Sequence, residues 1–224
     1  MALIQLEDVC KTFGAGESAV RALDHVSLEL HPSESVAIVG PSGSGKSTLL
    51  SIMGLALAPD KGTVTVGEQT AAGWSDAQRC RFRNRTFGYM FQDFALLEDE
   101  SVFENIRLPL LYARMPRREH RTHVEWVAEQ LGISEKLRMP AEKLSGGQKQ
   151  RVAVARAMVY DQPIVLADEP TGQLDAQNRE HVVNALLELA RKEGRLVVIV
   201  THDLEVASHC DRVIQLHDGR VVAE

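Results

Sequence analysis

Apolar positions fall into two textures along the chain. In the first third they alternate with polar ones: Ile4 and Leu6 do so, as do Val26, Leu28 and Leu30. A period of two predicts half-exposed strands joined by turns. Then Val36, Ala37, Ile38 and Val39 run on without a polar break, which predicts a strand buried on both faces. A helical stripe follows, with Leu49, Ile52, Met53 and Ala56 on one side. The doubly buried texture returns at 164–167 and 196–200, around a helix whose inward face carries Val182, Leu186, Leu189 and Ala190 and which ends near Gly194. A last hairpin turns at Asp218-Gly219, with apolar residues on both arms.

Strands and helices in alternation imply a parallel sheet covered by helices, an α/β architecture. Residues 93–144 contain no comparable strand. Their clearest helix carries Val124, Val127, Ala128 and Leu131 and stops at Gly132. This stretch reads as an inserted helical subdomain. The chain shows no internal repeat, low-complexity tract or linker. A single domain over 1–224 is expected, with a core and a β subdomain in 1–92 and 155–224 and the helical subdomain in 93–154.

Composition changes this picture little: 44% hydrophobic and 25% charged residues in a 224-residue chain suit a globular domain. The formal charge of −6 argues against a general nucleic-acid binder. Cys10, Cys80 and Cys210 show no close pairing and no metal-ligand spacing, and are expected to be reduced thiols. The start of the chain reads as a strand rather than a signal peptide, and no apolar run approaches the ~20 residues of a membrane span. Work at a membrane would require another chain to supply the span.

Three segments carry candidate chemistry. Gly40-Pro-Ser-Gly-Ser-Gly-Lys-Ser-Thr48 matches the phosphate-loop pattern at every fixed position, between a buried strand and a helix. Its glycines let backbone N–H groups converge on phosphate, and the helix adds its positive end. Lys46 is placed to reach the β- and γ-phosphates and Ser47 to hold Mg²⁺. Asp168 and Glu169 end a buried strand, where parallel sheets bind ligands. Asp168 suits Mg²⁺ through its water shell, and Glu169 suits a general base acting on water. Leu144-Ser-Gly-Gly-Gln148 opens a helix with a hydroxyl and two small residues, a second anion site.

Together these segments resemble the ATP-binding-cassette (ABC) ATPases, and the resemblance covers nearly the whole chain. The order is that family's: phosphate loop, Phe91-Gln92, Leu-Ser-Gly-Gly-Gln, Asp-Glu-Pro, Leu174-Asp175, Thr201-His202-Asp203. It implies a phosphate-loop (P-loop) NTPase core with an N-terminal antiparallel β subdomain and an inserted α-helical subdomain. It also implies ATP binding through Gly40, Ser42, Gly43, Ser44, Gly45, Lys46, Ser47 and Thr48, with Phe13 stacking on adenine where the family more often has Tyr. Gln92 is implied to bind Mg²⁺ and sense the γ-phosphate, His202 to contact the γ-phosphate, and Asp175 to sit at a dimer junction. Ser145, Gly146, Gly147 and Gln148 of one copy would complete the site of a second, in a homodimer that encloses ATP.

Arg81-Phe-Arg-Asn-Arg85, Phe87-Gly-Tyr-Met-Phe-Gln92, Glu104-Asn105-Ile106 and Ala167-Asp-Glu-Pro-Thr-Gly172 resemble one branch of that family more closely. It contains lipoprotein-releasing, macrolide-exporting and cell-division ATPases, which drive permeases with few membrane helices and an extracytoplasmic domain. That implies a peripheral protein on the cytoplasmic face of the inner membrane. Gln173 replaces the usual Asn, and Glu98-Asp-Glu100 replaces a Pro-Thr turn, so a peptide exporter fits as well. A soluble ABC ATPase of DNA repair or translation, or a scaffold without turnover, are the other readings. The arginines at 79, 81, 83 and 85, with 114, 117, 118 and 121, are expected to form a solvated basic face or to touch lipid or permease.

Overall fold

The computed structural model describes residues 2–90 and 93–223. Elements run in the order β1 (Ile4–Phe13), β2 (Val20–Leu30), β3 (Ser35–Val39), α1 (Lys46–Met53), β4 (Lys61–Val66), β5 (Gln69–Thr70), α2 (Asp76–Thr86) and β6 (Phe87–Met90). Then follow α3 (Val102–Tyr112), α4 (Arg117–Gln130), α5 (Gly146–Met158), β7 (Ile164–Asp168), α6 (Ala176–Glu193), β8 (Leu196–Val200), α7 (Leu204–Ser208), β9 (Arg212–His217) and β10 (Arg220–Ala223).

Two sheets form. The alternating segments build an antiparallel sheet ordered β2-β1-β4-β5. The continuous apolar runs build a second sheet ordered β10-β9-β3-β8-β7-β6, parallel from β9 to β6. Every residue of β3, β7 and β8 is buried, as the unbroken runs require. Helix α1 lies in the core shared by the two sheets, with Leu49, Leu50, Ile52 and Met53 fully buried. Each such side chain contributes about 1.5–3 kcal/mol relative to exposure. On the other face of the large sheet, α3, α4, α5 and α6 share a second core. Among the described residues of 93–144 the only strand-like pairing is one isolated bridge, Ser101 with Pro140.

Two expectations shift. The α1 stripe stops at Met53, because Gly54 caps the helix and leaves Ala56 outside it and exposed. A side chain at Gly54 would meet the Tyr89 ring at 2.6 Å, so the chain turns there to let β6 approach. The expected edge of the helical subdomain at 154 falls inside α5, which packs on α3 and α4 as well as on β6 and β7.

Candidate active site

The phosphate loop leaves the buried end of β3 and turns into α1. Its glycines are required for different reasons. A Cβ on Gly40 would lie 2.1 Å from the Leu216 carbonyl oxygen, and one on Gly45 would lie 2.2 Å from that of Ala22. Gly43 has φ of +81° and nothing within 4 Å of its Cβ position, so it leaves the approach to the loop open. Lys46 Nζ donates to the carbonyls of Gly40 and Pro41, both at 2.8 Å, and so lies folded along the loop. The Ser44 hydroxyl is buried without a partner, while its carbonyl accepts from the N–H of Gly219 at 3.0 Å. Ser42 and Ser47 are exposed, and Thr48 is half-buried.

Parallel register brings the acidic strand end to the same edge. Ile38 pairs with Val200, and Val200 with Asp168, in one row across β3, β8 and β7. Asp168 is 7% exposed, accepts a hydrogen bond from the Ser47 hydroxyl, and has a buried Oδ1 with no partner. Burial pushes its carboxyl above the ordinary range; Ser47 and Lys46 pull the other way, and Glu169 adds to the rise. Glu169 follows with φ of +50°, a left-handed conformation unusual for a glutamate. Its Oε1 accepts from Nδ1 of His202 at 2.8 Å, and the Thr201 hydroxyl lies at a long 3.5 Å from Oε2. The His202 ring is otherwise exposed.

Helix α5 begins with a reciprocal cap. Gln148 N–H donates to Ser145 Oγ, and Ser145 N–H donates to Gln148 Oε1. Ser145 and Gly146 face solvent. Gly146 abuts Gln173 so closely that a Cβ would stand 2.2 Å from that side chain's oxygen; Gly147 abuts Leu174. Asp175 caps α6, accepting from the N–H and side-chain amide of Asn178, which lowers its carboxyl pKa. Phe13 is 45% exposed at the end of β1, with Lys11 Nζ 5.8 Å from its ring. Gln92 lies outside the described residues.

The structure adds Gln150, which the motifs do not name. It is 1% exposed on α5; its Nε2 donates to the Glu169 carbonyl at 2.8 Å and its Oε1 accepts from Gln173 N–H at 3.0 Å. The available signal was a polar residue on a stripe otherwise filled by Ala153, Val154 and Ala157. Arg81, Arg85, Arg114, Arg117, Arg118 and Arg121 are exposed, as a solvated face requires, while Arg79 is half-buried. Arg83 is half-buried and donates to the Leu55 carbonyl at 2.9 Å. Arg81, Arg83, Arg85 and Arg114 line a groove of about 700 Å³ with Tyr89 and Tyr112.

A family model described as "ABC transporter" matches residues 23–172. The chain belongs to the ABC transporter family. The cassette is therefore an ATP-hydrolysing enzyme. It is 41% identical over 222 residues to the macrolide export ATP-binding/permease protein MacB of Hyphomonas neptunium and 44% identical to that of Rhodospirillum rubrum. Each alignment covers 99% of this chain and 34% of the relative. The chain thus spans about a third of the length of those proteins, and it falls in the branch that contains them. Among solved structures it is similar to the ATP-binding cassette MJ0796, a dimer in a post-hydrolysis state bound to ADP and Pi. The TM-score is 0.94 at 37% identity, covering 98% of this chain and 97% of that one.

Proposed function

We propose that the cassette is the motor of a membrane export or mechanotransmission complex, and that it works as a homodimer clamping ATP between two copies. The division of the site carries this reading. Lys46, Ser47, Asp168, Glu169 and His202 gather at one sheet edge, whereas the Ser145–Gly146 helix start faces solvent on α5. Helix α5 packs over β6, three strands from β3, or about 14 Å at ordinary strand spacing. A solvent-facing helix start is half of an anion site. A two-fold related copy would bring it over the phosphates held by the other chain.

Within that site Phe13 stacks on the adenine ring, and the backbone from Gly40 to Thr48 cradles the phosphates. Lys46 exchanges the carbonyls of Gly40 and Pro41 for phosphate oxygens. Ser47, Asp168 and Gln92 would hold Mg²⁺; the orphaned Asp168 Oδ1 fits that assignment, since a buried acceptor needs a partner. When bound, Mg²⁺ supplies positive charge across the phosphate oxygens. Glu169 takes the proton of the attacking water as oxygen bonds to the γ-phosphorus and the bond to the β-phosphate oxygen breaks. His202 holds Oε1 and leaves Oε2 to the water. Asp175 and Gln173 lie at the junction of the two copies.

None of the described helices is long and apolar enough to cross a membrane. The permease, with few membrane helices and an extracytoplasmic domain, is taken to lie outside these 224 residues, which places the cassette peripherally on the cytoplasmic face of the inner membrane. The arginine and tyrosine groove suits an acidic cytoplasmic segment of that permease. The net charge of −6 disfavours a nucleic-acid partner.

Glu169→Gln tests the reading. It should bind ATP, accumulate as a dimer in gel filtration with ATP and Mg²⁺, and lose roughly 10²–10⁴-fold in turnover. Wild-type turnover would remove Glu169 as the base, and recovery of the native protein only from the soluble fraction would remove the membrane partner.

A further inference from the structure

Strands β1 and β2 each carry an extra residue at the same height. Between the pairs Leu6–Leu28 and Val9–Val26 the extra residue is on β1; between Val9–Val26 and Lys11–Leu23 it is on β2. Asp8 and His25 absorb these bulges with φ of +51° and +55°. Two non-glycine residues in left-handed conformations cost about 1–3 kcal/mol each. Bulges re-aim side chains, and here they bring Asp8, Cys10, Asp24 and His25 together.

We propose that Cys10, Asp24 and His25 form a binding site for a thiophilic divalent cation such as Zn²⁺, with Asp8 as its outer carboxylate. The Cys10 thiol sulfur, an Asp24 oxygen and a ring nitrogen of His25 all lie within 4.8 Å of one another. His25 Nε2 is 3.8 Å from Asp24 Oδ1, too long for a hydrogen bond. Bonds of about 2.0–2.3 Å to a tetrahedral centre put ligand atoms roughly 3.3–3.8 Å apart. The cluster therefore needs only a small contraction.

Asp8 settles the ring. Its Oδ1 stands 2.5 Å from His25 Nδ1, and an ionised carboxylate only accepts. Nδ1 carries the proton, so in the neutral ring the Nε2 lone pair, 3.8 Å from Asp24 Oδ1, is left for a cation. A carboxylate behind a histidine in this way is the usual support for a metal ligand. The His25 backbone N–H donates to Cys10 Sγ at 3.3 Å, which ties the sulfur to the residue whose ring faces Asp24. Thiolate and imidazole together select zinc-like ions over Mg²⁺ or Ca²⁺.

Two contacts oppose the site. The Cys10 thiol donates to the Asp8 carbonyl at 3.8 Å, a bond that a metal-bound sulfur would give up. Arg21 donates to Asp24 Oδ1 at 2.9 Å, while Arg220 holds Oδ2. Both side chains are exposed, but Arg21 holds Asp24 through one nitrogen and can swing into solvent, whereas Arg220 holds Oδ2 through Nε and Nη2 and would stay to orient the carboxylate. Arg21 thus acts as a competitor for the cation, and removing it should tighten binding.

The test uses full-length, tag-free, chelator-stripped protein titrated with Co²⁺. One equivalent should produce a thiolate-to-cobalt charge-transfer band that Zn²⁺ then displaces. Cys10→Ser and His25→Gln should abolish the band, and Cys80→Ser should leave it. Asp8→Ala should weaken Zn²⁺ affinity about 10–100-fold, and Arg21→Ala should raise it several-fold. ATP affinity confirms that each variant is folded. Absence of the band in wild-type protein, or its survival in Cys10→Ser, would overturn the proposal.

Discussion

Gln150 lies one turn into α5 and holds the backbone on both sides of the Asp-Glu-Pro turn. Its two hydrogen bonds join α5 to Glu169 and Gln173. Replacing it by Leu takes the acceptor from the Gln173 N–H and leaves the Glu169 carbonyl with only the 3.4 Å bond from Gly172 N–H, at about 1–3 kcal/mol. Gln150→Leu should therefore lower kcat by roughly 5–150-fold while the Kd for ATP stays near wild type; an equal loss in both would make Gln150 merely structural. Asp168→Asn should separate stability from function. Burial raises the Asp168 carboxyl in the folded chain, so the folded state keeps its proton to higher pH than the unfolded state does. Stability then falls as pH rises from the ordinary carboxyl range through the raised value. The Asn variant should have the higher Tm at pH 7 in metal-free buffer, and the difference should vanish in acid. A lower Tm at pH 7 would contradict this, and turnover should be lost in either case. Burial, helped by Asp211, pushes the Cys210 thiol up to about 11, so at pH 8 thiol reagents should label exposed Cys80 and spare Cys210.

Most elements were legible because burial on two faces or one writes a different pattern. β3, β7 and β8 were visible as unbroken runs, and the loops after them as motifs whose spacing phosphate geometry dictates. Strand β6 was not read as a strand. It has four residues, and one is Gly88, which weakens strand signals. The structure supplies the reason for that glycine, since a Cβ there would stand 2.0 Å from the Ala157 carbonyl of α5. The bulges that bring Asp8 to His25 were hidden too, because each depends on a partner strand. Asn105 shows how the helical region is tied down. It is fully buried, accepts from Leu97 N–H and donates to the carbonyls of Leu97 and Ser101. Asn105→Leu should cost about 3 kcal/mol, lowering Tm by roughly 6–12 °C; thermal melts check this, and hydrogen exchange should first report loss of protection at the Leu97 amide.

Across the whole molecule, the order of strands differs from the order of synthesis. β3 lies between β8 and β9, and the turn at Gly219 braces the loop by donating to the Ser44 carbonyl and accepting from Asp24 N–H. The span 23–172 matched by the family model holds the phosphate loop, the signature helix and the acidic pair. A fragment ending at 172 should nevertheless fail to bind ATP in equilibrium dialysis, because both neighbours of β3 are missing. Measurable affinity in that fragment would show that the loop holds its shape alone.

The same strand order bears on birth of the protein at the ribosome. Phosphate-loop residues emerge early, but their flanking strand β9 ends at His217. At ordinary synthesis rates the delay is roughly 10–35 s. Until β8 emerges, β3 is an apolar strand with two open edges, and one edge stays open until β9 arrives, so a nascent cassette should bind no ATP before that strand has docked.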